Sequence, residues 1–427
     1  MTLAVIAVTF VVLMAIGVPI AFAIAMTAFS GLLAAGMPNL VVLPQRMFTG
    51  LDSFPIMAIP FFIAAGYVMN ECDLTDKIVE FSKSLVGHIT GGLAHVNIAA
   101  SMFFAGISGS AVADTAAIGG MLIPAMVKQG YTRDFSAAVT AVSSVMAPII
   151  PPSIPAVILA VMTGVSVGAV FAAGMLPGIL IGLFQMAVAY VISKRDGYRP
   201  NNRWEGWGNV FRQFIAAAPA LVMPLIILGG VLGGVFTATE AGAVATIYGV
   251  LFGLITRKLN AQKLWTVFVN SGITSAVILV VIGAANVLNW VIATQQVPVI
   301  VRTFLDSVVS SPWVGLLLLN IVFFIGGMLL EGIAAMTLLV PILLPAAVAW
   351  GIDPLLFTVV VLINLNIGLV TPPVALCLYL AADIAERPAE KVFAAALPFL
   401  AVIILVLLIV TYVPDFTLFL PRLLGLA

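Results

Sequence analysis

Charge is what this chain has least of. Asp, Glu, Lys and Arg make up 8% of its 427 residues, and 17 acidic side chains cancel 17 basic ones. Soluble domains carry about 25% charged residues, so an ordinary solvated surface is excluded. So are the basic footprint of a nucleic-acid binder and an acidic tail for a protein partner. Cysteine is nearly missing: Cys72 and Cys377 stand far apart, which argues against a disulfide framework or a thiolate metal site. Histidine occurs twice, as His88 and His95 flanking one helix end, without metal-ligand spacing. A proton relay is the only chemistry left to them.

Long polar stretches are absent too, which leaves no room for a soluble domain. Hydrophobic residues make up 63% of the chain and the mean hydropathy is +1.24. A spanning helix needs roughly 20 apolar residues, and runs of that length recur from Thr2 to Leu420. The first, Leu3–Leu33, lacks the basic start, short core and small-residue cleavage site of a secretory signal, so it is expected to stay as a helix. Residues 1–53 then read as an N-terminal scaffold helix and arm, and 54–193 as a first repeat with a hairpin at 93–126 and an interrupted helix at 135–165. Residues 194–271 read as a connecting amphipathic segment, with Trp204 and Trp207 at headgroup level, followed by a two-span unit. A second repeat covers 272–413, with a hairpin at 313–350 and an interrupted helix at 355–382, and 414–427 form an outer tail.

Orientation follows from Lys and Arg placement. Threading the spans so that 14 of the 17 basic residues share the cytoplasmic side leaves Arg46, Arg302 and Arg422 outside. That threading makes 93–126 enter and leave from the cytoplasm and 313–350 enter and leave from outside, so both are re-entrant.

The two halves share their helix breakers. Pro124, Gly130, Pro151, Pro152 and Pro177 recur as Pro345, Gly351, Pro372, Pro373 and Pro398, each pair 221 positions apart, and Gly106 extends the match to Gly327. The abundance of Pro and Gly in membrane helices does not explain a common offset. An odd number of spans separates equivalent segments, so the second copy lies upside down. The expected fold is an all-α polytopic membrane protein with two inverted-topology repeats, each holding a re-entrant helical hairpin and a Pro-Pro-broken helix. In such folds the ligand site lies near the midplane between the copies.

Each copy offers two breaks at membrane depth: the tip Ser108-Gly109-Ser110 with the loop Ala147–Ser153, and the tip Gly327–Glu331 with Asn364–Pro373. Unwound backbone cannot face lipid, so these breaks are expected to be buried or to line a wet cavity. The paired prolines free upstream carbonyls, which with Ser and Thr hydroxyls suit Na⁺. Half-helices beginning near Ser153 and Val374 point positive ends at the same place, which suits a carboxylate. Asp114 and Asn364 join Ser153 and Val374 as candidate substrate-binding residues. For each there is also a structural account: Asp114, an intramembrane carboxyl, as a hydrogen-bond acceptor inside the hairpin, and Asn364 and Asn366 as interhelical hydrogen bonders. The Ser108–Ser110 cluster could equally serve close helix packing. Phe236–Ala241 reads as a helix start with a Thr as cap and Glu240 in the first turn.

These motifs carry a likeness. Gly17-Val18-Pro19-Ile20-Ala21-Phe22, Asp52-Ser53-Phe54-Pro55, Ser108-Gly109-Ser110-Ala111-Val112-Ala113-Asp114-Thr115-Ala116, Ala147–Ser153 and Thr371-Pro372-Pro373 resemble the large, DctM-like membrane subunit of TRAP (tripartite ATP-independent periplasmic) transporters over essentially the whole chain. One departure is Ala238, where the family has proline in Phe-Thr-Pro-Thr-Glu-Ala. The resemblance implies a bacterial inner-membrane, Na⁺-coupled importer of an organic-acid solute, such as a sialic acid, a dicarboxylate or another sugar acid, with an elevator-type transport domain and a scaffold. It implies no enzyme activity and no organic cofactor. The implied partners are a small four-helix membrane subunit and a periplasmic solute-binding protein. By residue match, one Na⁺ site falls to Ser108, Gly109, Ser110, Pro151 and Pro152, and the other to Gly327, Glu331, Asn366, Gly368 and Thr371. Two rival classes fit less well. A permease for an ATP-driven importer would need a cytoplasmic segment docking an ATPase and would not need the repeat, and an intramembrane hydrolase would need a second Asp or a Ser–His pair at depth.

Overall fold

The computed structural model describes residues 2–37, 40–200 and 203–426. Among them no strand occurs: there are twenty α-helices and one 3-10 turn, and nine helices are long and apolar enough to cross a bilayer. The run expected as one N-terminal helix is two, α1 (Thr2–Ala15) and α2 (Ile20–Ala34), packed on each other. The chain folds back at Gly17, whose φ of +79° is left-handed, and Pro19 starts the second helix. Next come α3 (Val42–Leu51), the 3-10 turn Phe54–Met57, α4 (Ala58–Glu71) and α5 (Leu74–Val86).

The next segment alternates hairpin and broken helix. α6 (Gly92–Ser108) and α7 (Ala111–Lys128) form the first hairpin. α8 (Arg133–Ser144) and α9 (Ile154–Thr163) are separated by the Pro-Pro loop, and α10 (Val167–Asp196) follows. At 1.5 Å per residue α8 and α9 are about 18 and 15 Å long, so neither crosses the roughly 30 Å hydrocarbon layer alone. α11 (Trp207–Leu232) and α12 (Ala238–Ile255) form the two-span unit, turning at Gly233 and Gly234. α11 begins at Trp207, so part of the segment expected as an interfacial connector is the first turn of a span. α13 (Ala261–Thr294) starts well before the expected residue 272 and runs 34 residues. The amphipathic α14 (Val297–Val308) leads into α15 (Pro312–Leu329) and α16 (Gly332–Ala349), the second hairpin. α17 (Pro354–Gly368) and α18 (Leu376–Ile384) are split by the second Pro-Pro loop, and α19 (Ala389–Tyr412) and α20 (Pro414–Leu423) close the chain.

Burial explains the arrangement. Every residue of α17 from Leu355 to Gly368 is buried, as is every residue of α8 from Phe135 to Ser144. A helix covered on all sides belongs at the centre of a bundle. α1, α2, α3 and α14 instead share a separate apolar core with α13 and the face of α16, built on Ile24, Leu32, Val287 and Val291. α4 and α12 approach closely because Gly242 sits under Phe61 and Phe62, and Gly249 under Val68. α13 borders both bodies, packing on α2, α3, α4 and α16.

Candidate functional site

At the first tip, α6 ends at Ser108 and Gly109 takes a φ of +56°. Only glycine adopts this freely, and a Cβ here would stand 2.8 Å from the Pro152 carbonyl oxygen and 3.3 Å from Ser153 Cα. The tip therefore lies directly on the Pro-Pro loop. Ser110 caps α7, accepting from the Ala113 amide at 3.4 Å, and the Ser110 amide donates to Ser108 Oγ at 3.4 Å. Ser153 caps α9 by accepting from the Ala156 amide at 3.1 Å, and its hydroxyl donates to the Pro148 carbonyl. Among the described residues no hydrogen bond reaches the carbonyls of Ile150, Pro151 or Pro152. These are hard oxygens available to a cation.

The second tip repeats the plan with different atoms. Glu331 caps α16, its Oε2 accepting from the Ile333 amide at 3.0 Å and the Ala334 amide at 3.3 Å. Gly327 and Gly368 bring α15 and α17 into backbone contact: a Cβ on Gly368 would lie 2.1 Å from the Gly327 carbonyl oxygen. The Val374 amide donates to the Met328 carbonyl at 3.2 Å, tying the loop to the hairpin tip. That proton is therefore not free for a ligand, and α18 begins two residues later, after Ala375 at φ +36°. Asn366 Nδ2 donates to the Leu362 carbonyl and Thr371 Oγ1 to the Ile367 carbonyl. The carbonyls of Val370, Thr371 and Pro372 accept no hydrogen bond among the described residues. Both Pro-Pro bonds are cis.

Residues from or beside all four breaks border one cavity of ≈ 100 Å³, while Pro151, Pro152, Gly327, Gly368, Thr371, Pro372 and Pro373 stand behind its wall. Its wall includes Gly109 and Ser110 of the first tip, Pro148 and Ile154 of the first loop, Glu331 of the second tip and Asn366 of α17. Ile278 of α13 closes it. A larger cavity of ≈ 620 Å³ adjoins it through the shared residues Ser110, Val112, Ile154 and Ile278, and runs between Ser108 and the polar groups Tyr67, Asn70 and Thr274. Tyr67 and Thr274 join hydroxyls at 3.2 Å. These three side chains were missed in the sequence, where Tyr67 and Asn70 are simply the last polar positions of a span. Their spacing of three, placing both on one face of α4, was the available signal.

The four candidate substrate-binding residues line neither cavity. Ser153 is engaged in its cap and Val374 in its backbone bond. Asp114 is fully buried inside the hairpin, where Ser101 donates to its Oδ2 at 2.8 Å. Ser101 meets Ser143 at 3.1 Å, Ser143 donates to Asn97 Oδ1 at 3.2 Å, and Asn97 donates to Thr140 at 2.7 Å, a polar ladder joining α6, α7 and α8. Asn364 lies in a second ladder: it donates to Asn320 Oδ1 at 2.7 Å, and Asn320 donates to Thr411 at 3.1 Å, joining α17, α15 and α19. Ser143 and Asn364 are equivalent under the 221-residue offset, so each broken helix is tied to its own hairpin at the same level. Thr237 and Glu240 form a reciprocal capping box at the start of α12. His88 packs edge-on to Trp204 at 4.8 Å and His95 is buried in the first turn of α6.

No group of three His, Cys, Asp or Glu side chains that could hold a metal ion occurs among the described residues. The donor set at the breaks is backbone carbonyl, hydroxyl and amide oxygen, with one carboxylate. That set suits a hard, weakly held cation.

Comparison with known proteins agrees with this architecture. Residues 7–416 match the family described as "Tripartite ATP-independent periplasmic transporter, DctM component". The isethionate TRAP transporter permease protein DctMQ of Oleidesulfovibrio alaskensis is 38% identical over 411 residues, covering 96% of this chain and 65% of that longer protein. The sialic acid TRAP transporter large permease protein SiaM of Vibrio cholerae is 37% identical over 411 residues, 95% of each chain. The solved structure of the YdaH transporter of Alcanivorax borkumensis matches with a TM-score of 0.65 over 88% of this chain and 87% of that one, at 13% identity, a likeness of fold alone. Its relatives are transporter permeases and not enzymes, and this chain belongs to the DctM family of tripartite ATP-independent periplasmic transporter subunits.

Proposed function

We propose that the chain is the large permease of a Na⁺-coupled uptake system for a small organic anion in the bacterial inner membrane. The observation that carries this is the convergence on one cavity of both hairpin tips and of the helix ends that flank both Pro-Pro breaks. Orphaned carbonyls at membrane depth cost several kcal/mol each in hydrocarbon, so two loops that carry them, each set against a hairpin tip, support ligands there. One Na⁺ would be held by Ser108, Gly109 and Ser110 with the carbonyls of Pro151 and Pro152. The other would be held by Gly327, Glu331 and the Asn366–Thr371 segment, including Gly368. The solute then sits between the tips, with the N-terminal ends of α9 and α18 at Ile154 and Leu376 facing it. Among the described residues no Lys or Arg lines either cavity, so the anion is balanced by helix ends and by the bound cations rather than by a fixed side chain. The relatives named for isethionate and for sialic acid share an acidic group on a small polar solute. That shared chemistry sets the substrate class.

The separate apolar core on α1–α3, α13 and α14 supports a scaffold, and the hairpins with their broken helices form the body that carries the site past α13. The matched breakers, together with hairpins expected to enter from opposite sides, support inverted copies. A small membrane subunit and a periplasmic solute-binding protein complete the system; the relative from Oleidesulfovibrio alaskensis, with its DctMQ name and greater length, fits a subunit fusion. The test is uptake into proteoliposomes containing this chain, its small subunit and a loaded binding protein. Uptake should require an inward Na⁺ gradient, and uptake that persists unchanged without Na⁺ would sink the coupling. Ser110→Trp should abolish uptake in a protein that still elutes as a folded species, and normal uptake by that variant would remove the first tip from the site.

A further inference from the structure

A polar cavity at the edge of the molecule is not used by any of these steps. α5 is amphipathic: Leu74, Ile78, Val79 and Phe81 are buried, while Asp76, Lys77 and Glu80 are exposed. Charges recurring along one face exclude this helix from hydrocarbon, so α5 lies at the membrane surface. Phe81 packs on Phe214 of α11 at 5.7 Å, which fixes the surface helix against the first turns of a span. Between them is a cavity of ≈ 170 Å³ whose wall carries Lys83, Arg203 and Arg212 together with Glu80 and Glu205. Lys83 reaches Glu80 at 3.4 Å and Arg212 donates to Asn209 at 2.6 Å, while Arg203 and Glu205 have no ion-pair partner among the described residues.

The surroundings set the depth. Trp204 in the wall meets Trp207 edge-on at 5.4 Å, and tryptophans gather where headgroups meet acyl chains. Trp207 continues along the face of α11 turned away from Asn209, Arg212 and Gln213 into Phe211, Phe214 and Ile215, which are 64%, 45% and 56% exposed, an apolar track suited to an acyl chain that Trp204 joins to the cavity. A polar cavity beside such a track has the form of a phospholipid seat. The mixed charge narrows the headgroup. An anionic lipid needs only cations, whereas two carboxylates among three cations match a phosphate joined to an ammonium. We propose that this cavity binds a phosphatidylethanolamine headgroup. The phosphate meets Arg203 and Arg212, whose guanidinium forks suit its oxygens; the ammonium meets Glu205 and Glu80 beside the Trp204 ring.

Native mass spectrometry of the full chain in detergent, titrated with dioleoyl-phosphatidylethanolamine, tests this. Wild type should retain that lipid in preference to dioleoyl-phosphatidylglycerol. The R203Q/R212Q variant should lower its occupancy about tenfold, and E205Q should erase the preference between the two lipids. Equal retention by wild type and R203Q/R212Q overturns the proposal, as does a wild-type preference for phosphatidylglycerol. Displacement of the lipid by millimolar inorganic phosphate overturns it in favour of a soluble anion. If the double variant does not elute as a single folded species, R203Q alone is read in the same assay, with the same two outcomes deciding.

Discussion

Replacing Gly368 by alanine should separate packing from chemistry at the second tip. A methyl group there would stand 2.1 Å from the Gly327 carbonyl oxygen, 2.2 Å from its carbon and 2.8 Å from its Cα. The obstacle is backbone and cannot swing aside. To bring 2.1 Å out to the 3.4 Å of an ordinary contact, α15 and α17 must part by roughly 1.3 Å. Overpacking of this kind costs about 1–3 kcal/mol, offset by at most ~1 kcal/mol of helix propensity. Displacement of a ligand tip by about 1 Å can cost on the order of 100-fold in rate. Gly368→Ala should therefore lose Na⁺-driven uptake almost completely while its thermal unfolding in detergent falls by only a few degrees. Gly120→Ala is the control, because Gly120 is exposed on α7 away from both cavities and a Cβ there meets nothing within 4 Å. If Gly368→Ala transports at the wild-type rate, the backbone contact between tip and broken helix is not required and the two-tip site is wrong.

Three further outcomes follow from particular contacts. Arg387 holds Asp134 through two hydrogen bonds with side chains 32% and 27% exposed, so a double-mutant cycle on Asp134→Ala and Arg387→Ala should give a small favourable coupling that weakens in high salt. The Asp114 carboxyl has a partner on Oδ2 alone, and the neighbouring Ser144 donates to the Thr140 carbonyl instead, so Asp114→Asn should leave the melting temperature unchanged or raise it; a fall would place an ion or water on Oδ1. Lys258 donates to Asp73 and holds its carboxyl below the usual carboxylate value, so the pair's small contribution is present above the ordinary carboxylate pKa and is lost as pH falls through the depressed one. Asp73→Asn should flatten the acid limb of stability against pH, and an unchanged limb would exclude the pair.

The hairpins and breaks were legible because their signals are covalent. Proline and glycine impose backbone limits wherever they sit, and the common offset made Pro151 and Pro372 readable as one feature. The division at Gly17 was less legible, since Leu3–Leu33 is uniformly apolar and only the Gly17-Val18-Pro19 step marks the turn. The start of α13 was hidden for the opposite reason: residues 261–271 are too polar to read as a span, yet they continue the helix beyond the apolar stretch. Their place at helix starts makes Ser153 and Val374 look like ligand groups. Sequence could not say that the Ser153 hydroxyl and the Val374 amide already have partners inside the protein. Tyr67, Asn70 and Thr274 needed the third dimension, because nothing local brings α4 and α13 to the same cavity.

Two seams decide which parts can move together. On one side of the bundle Arg133 meets Glu386 at 2.7 Å and also donates to the Ala385 carbonyl at 3.0 Å, beside the Asp134–Arg387 pair, joining the start of α8 to the end of α18. On the other side Thr358 near the start of α17 donates to Thr163 at the end of α9 at 3.0 Å. Each broken helix is thus stitched to the other at both ends, so under the transport reading proposed above the two would travel as one body. Against α13 the contact is of another kind: Asn289 donates to the Thr337 carbonyl of α16 at 2.9 Å, beside a cavity of ≈ 220 Å³. Bridging Thr163→Cys to Thr358→Cys through disulfides with a short bis-methanethiosulfonate should leave Na⁺-driven uptake intact. Bridging Asn289→Cys to Thr337→Cys should stop it, and reduction should restore it. Cys72 and Cys377 are both buried and can remain. Arrest by the first bridge would mean that the copies separate during transport, and uptake unaffected by the second would mean that the hairpin does not slide along α13.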